Sequence, residues 1–112
     1  MDDFSVKSER NGQAMVVAVS GRVDSVTAAA LDEELGKIAR DNKRIVLDLK
    51  DVAYLSSAGV RAILKVSQTV QRSGGGVRLA RIPTLVADVL ENVGVTTALR
   101  SFASVDEAVA GF

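Results

Sequence analysis

The chain alternates between short apolar runs and longer stretches in which apolar residues recur every three or four positions. Short runs rich in Val, Leu and Ile predict buried strands, and the periodic stretches predict amphipathic helices. The predicted strands are Phe4–Glu9, Ala14–Val19, Arg44–Leu49, Val77–Arg81 and Leu99–Ala103. The first predicted helix follows Asp24 or Ser25 as N-cap and ends at Asp41. The other three run from Ala58 to Arg72, from Pro83 to Gly94 and from Ser104 to Ala110. This order, ββαβαβαβα, is typical of an α/β fold with a mixed, mostly parallel sheet and about four helices.

The connections between the elements add detail to this prediction. Arg10-Asn11-Gly12 predicts a tight turn, because Asn-Gly adopts positive φ angles readily, so the first two strands are expected to form an antiparallel hairpin. Lys50–Ser57 is predicted to be a loop that leads into the second helix. Ser104 and Glu107 have the spacing of a capping box at the start of the last helix. The 112 residues show no repeat and no linker, which indicates a single domain over residues 4–111.

Composition narrows the classes of function. The chain has 14 Lys and Arg and 14 Asp and Glu, so its net charge of zero argues against a dedicated nucleic-acid binder. It contains no His and no Cys. Zinc and iron–sulfur sites built on those residues, Ser-His-Asp catalysis and Cys-His catalysis are therefore excluded. We expect no metal and no other cofactor.

Hydrophobicity gives no sign of a membrane segment. The longest unbroken apolar run, Ala14–Val19, has six residues, whereas a helix that crosses a bilayer needs about 20. The N-terminus is acidic where a signal peptide would be basic. The expectation is a cytoplasmic protein without a membrane partner.

The segment Leu55–Gly59 is the candidate functional site. It lies where the central strand connects to the second helix, and functional groups in open α/β sheets collect at the carboxyl ends of strands. A serine at a helix N-terminus either caps the helix or, if phosphorylated, carries an anion there. Capping is the more common role for such a serine and for Asp24, and Gly59 is expected to relieve crowding at the helix start.

The residues around this site resemble the signature of a known domain family. The stretch Ile45–Leu64, with Leu-Ser-Ser-Ala-Gly-Val at its centre, resembles the signature of STAS domains, most closely single-domain bacterial anti-sigma-factor antagonists. Ser20–Asp24 also resembles the turn that precedes the first helix in that family. The likeness extends over essentially the whole chain, and it implies the STAS fold.

The resemblance implies a function in partner switching. In that family, an unmodified antagonist binds a serine-kinase anti-sigma factor of the GHKL ATPase type. The sigma factor itself takes part only indirectly, because this binding sets it free. The kinase phosphorylates one serine of the antagonist, which weakens the complex, and a PP2C-type phosphatase restores the unmodified form. The chain would accordingly be a binding protein and not an enzyme.

The family motif also assigns the residues of the site. The phosphate acceptor corresponds to Ser57, with Ala58 and Gly59 beside it. Ser56 replaces the family's usual Asp and is a lesser candidate acceptor, and Val60 replaces the usual Leu.

Three charged residues complete the candidate site. Asp24 matches a family position near the acceptor. Arg61 and Lys65 follow Ser57 by one and two helical turns, where they could steer an acidic partner or damp a phosphate charge. From the residues alone, a solvated helix face is the more common role for both cations.

Two other functions remain open. A nucleotide-binding hydrolase would have to use Ser73–Gly76, but this glycine run precedes a strand and matches no phosphate-binding motif, so a flexible turn is favoured. Catalysis by carboxylates would use Asp24, Asp48 and Asp51, which are expected near one sheet edge. A structural role is more common for an Asp within a strand, so no acid/base pair is assigned. The other alternative is a STAS scaffold that is never phosphorylated and belongs to a transporter, lipid-trafficking or stressosome assembly.

Overall fold

The computed structural model describes residues 3–112, except for the side chains of residues 96 and 97. The elements in chain order are β1 Ser5–Asn11, β2 Ala14–Val23, α1 Thr27–Asp41, β3 Arg44–Leu55, α2 Ser57–Arg72, β4 Gly76–Ala80, α3 Thr84–Asn92, α4 Val95–Ala98, β5 Ser101–Phe102 and α5 Val105–Ala110. The predicted order is confirmed, with the short helix α4 added between α3 and β5.

The strands form one mixed sheet in the order β1-β2-β3-β4-β5. β1 is antiparallel to β2, and the other neighbours are parallel, as the pattern predicts. The hairpin turn is shorter than predicted, because Asn11 still pairs with Ala14 and only Gly12 and Gln13 connect the strands. Gly12 has a φ of +61°, a conformation that glycine adopts without strain.

The predicted loop at Lys50–Ser57 is wrong over most of its length. β3 continues to Leu55 and pairs with an equally extended β2, whose last residue is Val23. Two irregularities in the register each place an extra β3 residue opposite β2. They interrupt the alternation of buried and exposed positions, and for this reason the period-two pattern does not reveal the strand.

The two faces of the sheet are covered unequally. One face packs against α1, α2 and α3, with large buried side chains that include Leu35, Ile63 and Leu90. The other face holds a smaller cluster of Ala14, Val46, Ala80 and Ala108, beneath α5. The three-helix face therefore holds most of the core, and it supports the starts of α1 and α2.

The C-terminal elements differ from the prediction mainly in their lengths. α3 ends before Gly94, whose φ of +79° stops the helix, and β5 has only two residues. Pro83 precedes α3 as its N-cap and does not lie in its first turn. Ser104 caps α5 as predicted, since its Oγ accepts from the Glu107 N–H at 3.1 Å. The Glu107 carboxylate accepts from the Ser104 hydroxyl at 3.2 Å and not from its backbone N–H, so only half of the predicted capping box forms.

None of the helices in the described part of the chain is long and apolar enough to span a bilayer.

Candidate functional site: the junction at the start of α2

The candidate site lies at the edge of the sheet where the parallel strands end. β2 ends at Val23 and β3 at Leu55, so the connections into α1 and α2 are neighbours. The backbone N–H of Ser56 donates to the Val23 carbonyl oxygen at 2.8 Å and joins the two connections directly. The parallel topology thus brings together Asp24 and the two serines, which are about 30 positions apart in sequence.

The two serines have different roles. Ser56 is the N-cap of α2, with a φ of −83° and a ψ of 168°, and its Oγ accepts from the Gly59 N–H at 3.2 Å. Ser57 is the first residue of the helix, and it is exposed. No hydrogen bond to a described residue holds the Ser57 hydroxyl. Capping is therefore the role of Ser56, and the Ser57 hydroxyl is left free.

Gly59 allows α2 to approach the sheet closely. A Cβ at this position would lie 2.7 Å from Leu55 Cδ1 and 2.7 Å from Val23 Cγ1, closer than carbon atoms approach in proteins. The predicted relief of crowding is confirmed at this glycine. The close approach also sets the position of Ser57 relative to the ends of β2 and β3.

Asp24 organises the turn that leads into α1. Its Oδ1 accepts from the N–H of Val26 at 3.0 Å and from the N–H of Thr27 at 2.9 Å. The hydrogen bond from the Thr27 N–H is the main cause that lowers the pKa of Asp24, and the nearby Arg22 guanidinium adds a smaller effect. The N-cap position itself is Val26, two residues later than predicted for Asp24, because the carboxylate holds an extra turn before the helix.

Arg61 and Lys65 line a groove between α1 and α2 but have different partners. Lys65 Nζ lies 3.1 Å from Asp32 Oδ2, in an ion pair across the groove. No described carboxylate lies within ion-pair distance of the Arg61 guanidinium. The groove has a volume of about 310 Å³. Its other lining residues are small: Ser25, Ala28, Ala29, Ala58 and Ala62.

Three large apolar side chains are exposed around the same edge, and the hydrophobic pattern of the sequence does not distinguish them. Val26 is 78% exposed, Leu85 75% and Tyr54 42%, and they lie at or near the ends of β2, β4 and β3. Exposed apolar groups at one edge of the sheet offer contact area to another protein. Their position depends on the strand order, so no local pattern distinguishes them from core residues.

Asp48 has a structural role. It is 7% exposed and accepts two hydrogen bonds from the Arg81 guanidinium, 3.1 Å from Nε and 2.5 Å from a terminal nitrogen. This hydrogen bonding is the main cause that raises the pKa of Arg81. Arg81 has a φ of +54°, a backbone conformation that its pairing with Asp48 helps to hold. Asp48 is thus satisfied within the fold, as predicted.

The glycine run is a turn without free donors. The Gly74 N–H donates to the Gln71 carbonyl oxygen at 3.0 Å, and the Gly75 N–H donates to that of Val70 at 2.8 Å. The Gly76 N–H donates to the Lys43 carbonyl oxygen at 2.8 Å. A phosphate-binding loop needs such N–H groups to be available. Over residues 3–112, moreover, no group of three or more acidic side chains could hold a metal ion.

The comparisons with known proteins agree with this architecture. Residues 5–108 match the family model of the STAS domain. The chain is 30% identical, over 93% of its length and 84% of the relative's, to "Anti-sigma-F factor antagonist RsfB" of Mycobacterium tuberculosis.

Solved structures show the same fold. An anti-sigma factor antagonist from Mycobacterium paratuberculosis superposes with a TM-score of 0.89 at 23% identity, covering 98% of this chain and 94% of the other. The Bacillus cell fate determinant SpoIIAA, in its phosphorylated form, superposes with a TM-score of 0.72 at 14% identity, covering 96% and 97%. The family match spans nearly the whole sequence and the described fold agrees with it, so the chain belongs to the STAS domain family.

Proposed function

We propose that this chain is an anti-sigma-factor antagonist that works as a phosphorylation switch. With Ser57 unmodified, it binds a serine-kinase anti-sigma factor of the GHKL type and so makes a sigma factor available. Phosphorylation of Ser57 releases it, and a PP2C-type phosphatase resets it. In this proposal the protein is a binding module of the cytoplasm and not an enzyme.

The observation that carries the proposal is the state of the Ser57 hydroxyl. It is exposed at the first position of α2, and no described residue holds it by a hydrogen bond. A kinase can reach such a hydroxyl without unfolding the helix. Ser56 is less suitable as an acceptor, because its Oγ already caps the helix through the Gly59 N–H.

The surroundings of Ser57 explain why a phosphate would release a partner. The exposed side chains of Val26, Tyr54 and Leu85 offer apolar contact area around the same edge. A phosphate adds about −1.5 to −2 charges at neutral pH. Burying that charge against apolar groups costs several kcal/mol unless a cation of the partner pairs with it. The unmodified serine is small and neutral and allows close packing.

The relatives support the same function. RsfB, which shares 30% identity with this chain, carries the name of an anti-sigma-F factor antagonist. SpoIIAA, whose fold is similar, has been solved in a phosphorylated form. A phosphate is therefore compatible with this fold.

The decisive experiment compares what the full-length chain captures from cells of its own host. The baits are the wild type, Ser57→Ala, Ser57→Asp and Ser73→Asp, the last adding the same charge at the opposite end of α2. We expect a GHKL-type kinase with the wild type, Ser57→Ala and Ser73→Asp, but not with Ser57→Asp. Purified kinase and ATP should then phosphorylate Ser57, as mapped by mass spectrometry. Capture of the kinase by Ser57→Asp, or modification of another residue with Ser57 untouched, would refute the proposal.

A further inference from the structure

Three cations lie around Ser57, and the structure distinguishes them by their partners. Lys65, on α2, forms an ion pair with Asp32 of α1 at 3.1 Å. Arg22, on β2, places its guanidinium 4.5 Å from the centre of the Tyr54 ring. Arg61, on α2, is exposed and has no described carboxylate within ion-pair distance. Arg22 also acts electrostatically on Asp24, whose pKa its charge helps to lower, so Arg61 is the one of these three cations without a described carboxylate beside it.

Helix geometry places Arg61 nearer to the Ser57 hydroxyl than Lys65. Positions 57 and 61 are one turn apart on the same face, with Cβ atoms about 6 Å from each other. Lys65 is a second turn further, about 12 Å along the helix axis from Ser57. A phosphate on Ser57 would thus lie within reach of a long, flexible Arg61 side chain, and it would be far from the ammonium that Asp32 holds.

Acidic groups near Ser57 favour a cationic partner for a phosphate there. Asp24 lies on the turn before α1, next to the connection into α2, and would repel the phosphate. The acidic group of the groove, Asp32, is already paired with Lys65. Because Arg22 acts on the Asp24 carboxylate and Lys65 on Asp32, Arg61 is the one of these three cations that can offset the repulsion.

We propose that Arg61 is the residue that pairs with the phosphate carried on Ser57. This inference rests on the proposed function and adds a second effect to it. Phosphorylation then introduces an anion and also engages the one available cation beside it. An acidic group of the partner that Arg61 attracts in the unmodified state would lose that attraction at the same moment.

The test measures the phosphate directly, without any kinase. Full-length chain with phosphoserine installed at position 57 during translation is titrated, and the second pKa of the phosphate is followed by phosphorus NMR. A neighbouring guanidinium favours the dianion, so Arg61→Gln should raise this pKa by about 0.2–0.7 pH unit, the range of exposed ion pairs. Arg61→Lys keeps a positive charge at this position, so the pKa of the phosphate should stay close to that of the wild type.

Two controls sharpen the result. Lys65→Gln should leave the pKa within about 0.1 unit of the wild type, far below the Arg61→Gln shift, because the side chain it removes is already paired with Asp32. At about 1 M NaCl, screening should abolish the difference between the wild type and Arg61→Gln. Equal pKa values for those two proteins at low salt would overturn the proposal, as would a Lys65→Gln shift as large as that of Arg61→Gln. This result is separable from the proposed function, since the capture experiment tests kinase recognition and the titration does not.

Discussion

The starts of α1 and α2 lie side by side, yet they use their polar side chains differently. Before α1, the Asp24 carboxylate accepts two backbone N–H groups, from Val26 and Thr27. At α2, Ser56 takes the capping role and Ser57 has a free hydroxyl. At α2, one serine therefore caps the helix and the adjacent serine stays accessible. A hydroxyl can thus be exposed at a helix start while the residue before it caps the backbone.

The largest expected effect comes from the different packing of the two helices. Gly59→Ala should lower the free energy of unfolding by about 1–3 kcal/mol, because its Cβ would overlap Leu55 and Val23. Urea denaturation of both proteins measures this change.

Gly36→Ala in α1 is the matched control for that packing effect. A Cβ at position 36 meets nothing within 4 Å, so this variant should be more stable by about 0.5–1 kcal/mol through helix propensity. If Gly59→Ala proved as stable as Gly36→Ala, the close approach of α2 would not be required.

Substitutions of the two serines should differ in their effect on stability. Ser56→Ala removes the N-cap and should cost about 1 kcal/mol, whereas Ser57→Ala should change stability by less than about 0.5 kcal/mol. Thermal and urea unfolding of the two variants give the comparison. A larger cost for Ser57→Ala than for Ser56→Ala would contradict the capping role of Ser56.

The pH dependence of stability should reveal the Asp24 turn. The hydrogen bond from the Thr27 N–H lowers the folded-state pKa of Asp24, so its contribution is present above the unfolded pKa and is lost as the pH falls through the folded pKa. Between about pH 5 and pH 2, the wild type should lose more stability than Asp24→Asn. Urea midpoints across this range measure the difference. Parallel curves for the two proteins would contradict the prediction.

The smallest effect is expected at the groove between the helices. Asp32→Ala breaks the ion pair with Lys65 and should cost only about 0.2–1 kcal/mol, because the Lys65 side chain is 69% exposed and that of Asp32 40%. The cost should shrink in about 1 M salt, where exposed charges are screened. A salt-independent loss would show that Asp32 contributes through packing and not through its charge.

Local patterns predict a large part of the fold and of the site. The element order, the hairpin, the helix cap at Ser104 and the serine pair at the start of α2 all follow from residues close together in sequence. The extension of β3 to Leu55 does not, because it depends on pairing with β2 through two register shifts. The placement of exposed apolar side chains at one edge likewise depends on the order of strands in the sheet.

The sequence by itself determined the alternation of strands and helices, the mostly parallel sheet and the location of the candidate site, since periodicity and turn residues act locally. Only the tertiary structure decided which cation is available and which strand end lies beside the serines. Those answers depend on contacts between distant residues, such as Lys65 with Asp32, which are 33 positions apart, and Ser56 with Val23. Folding brings these partners together, and no local pattern contains their distance.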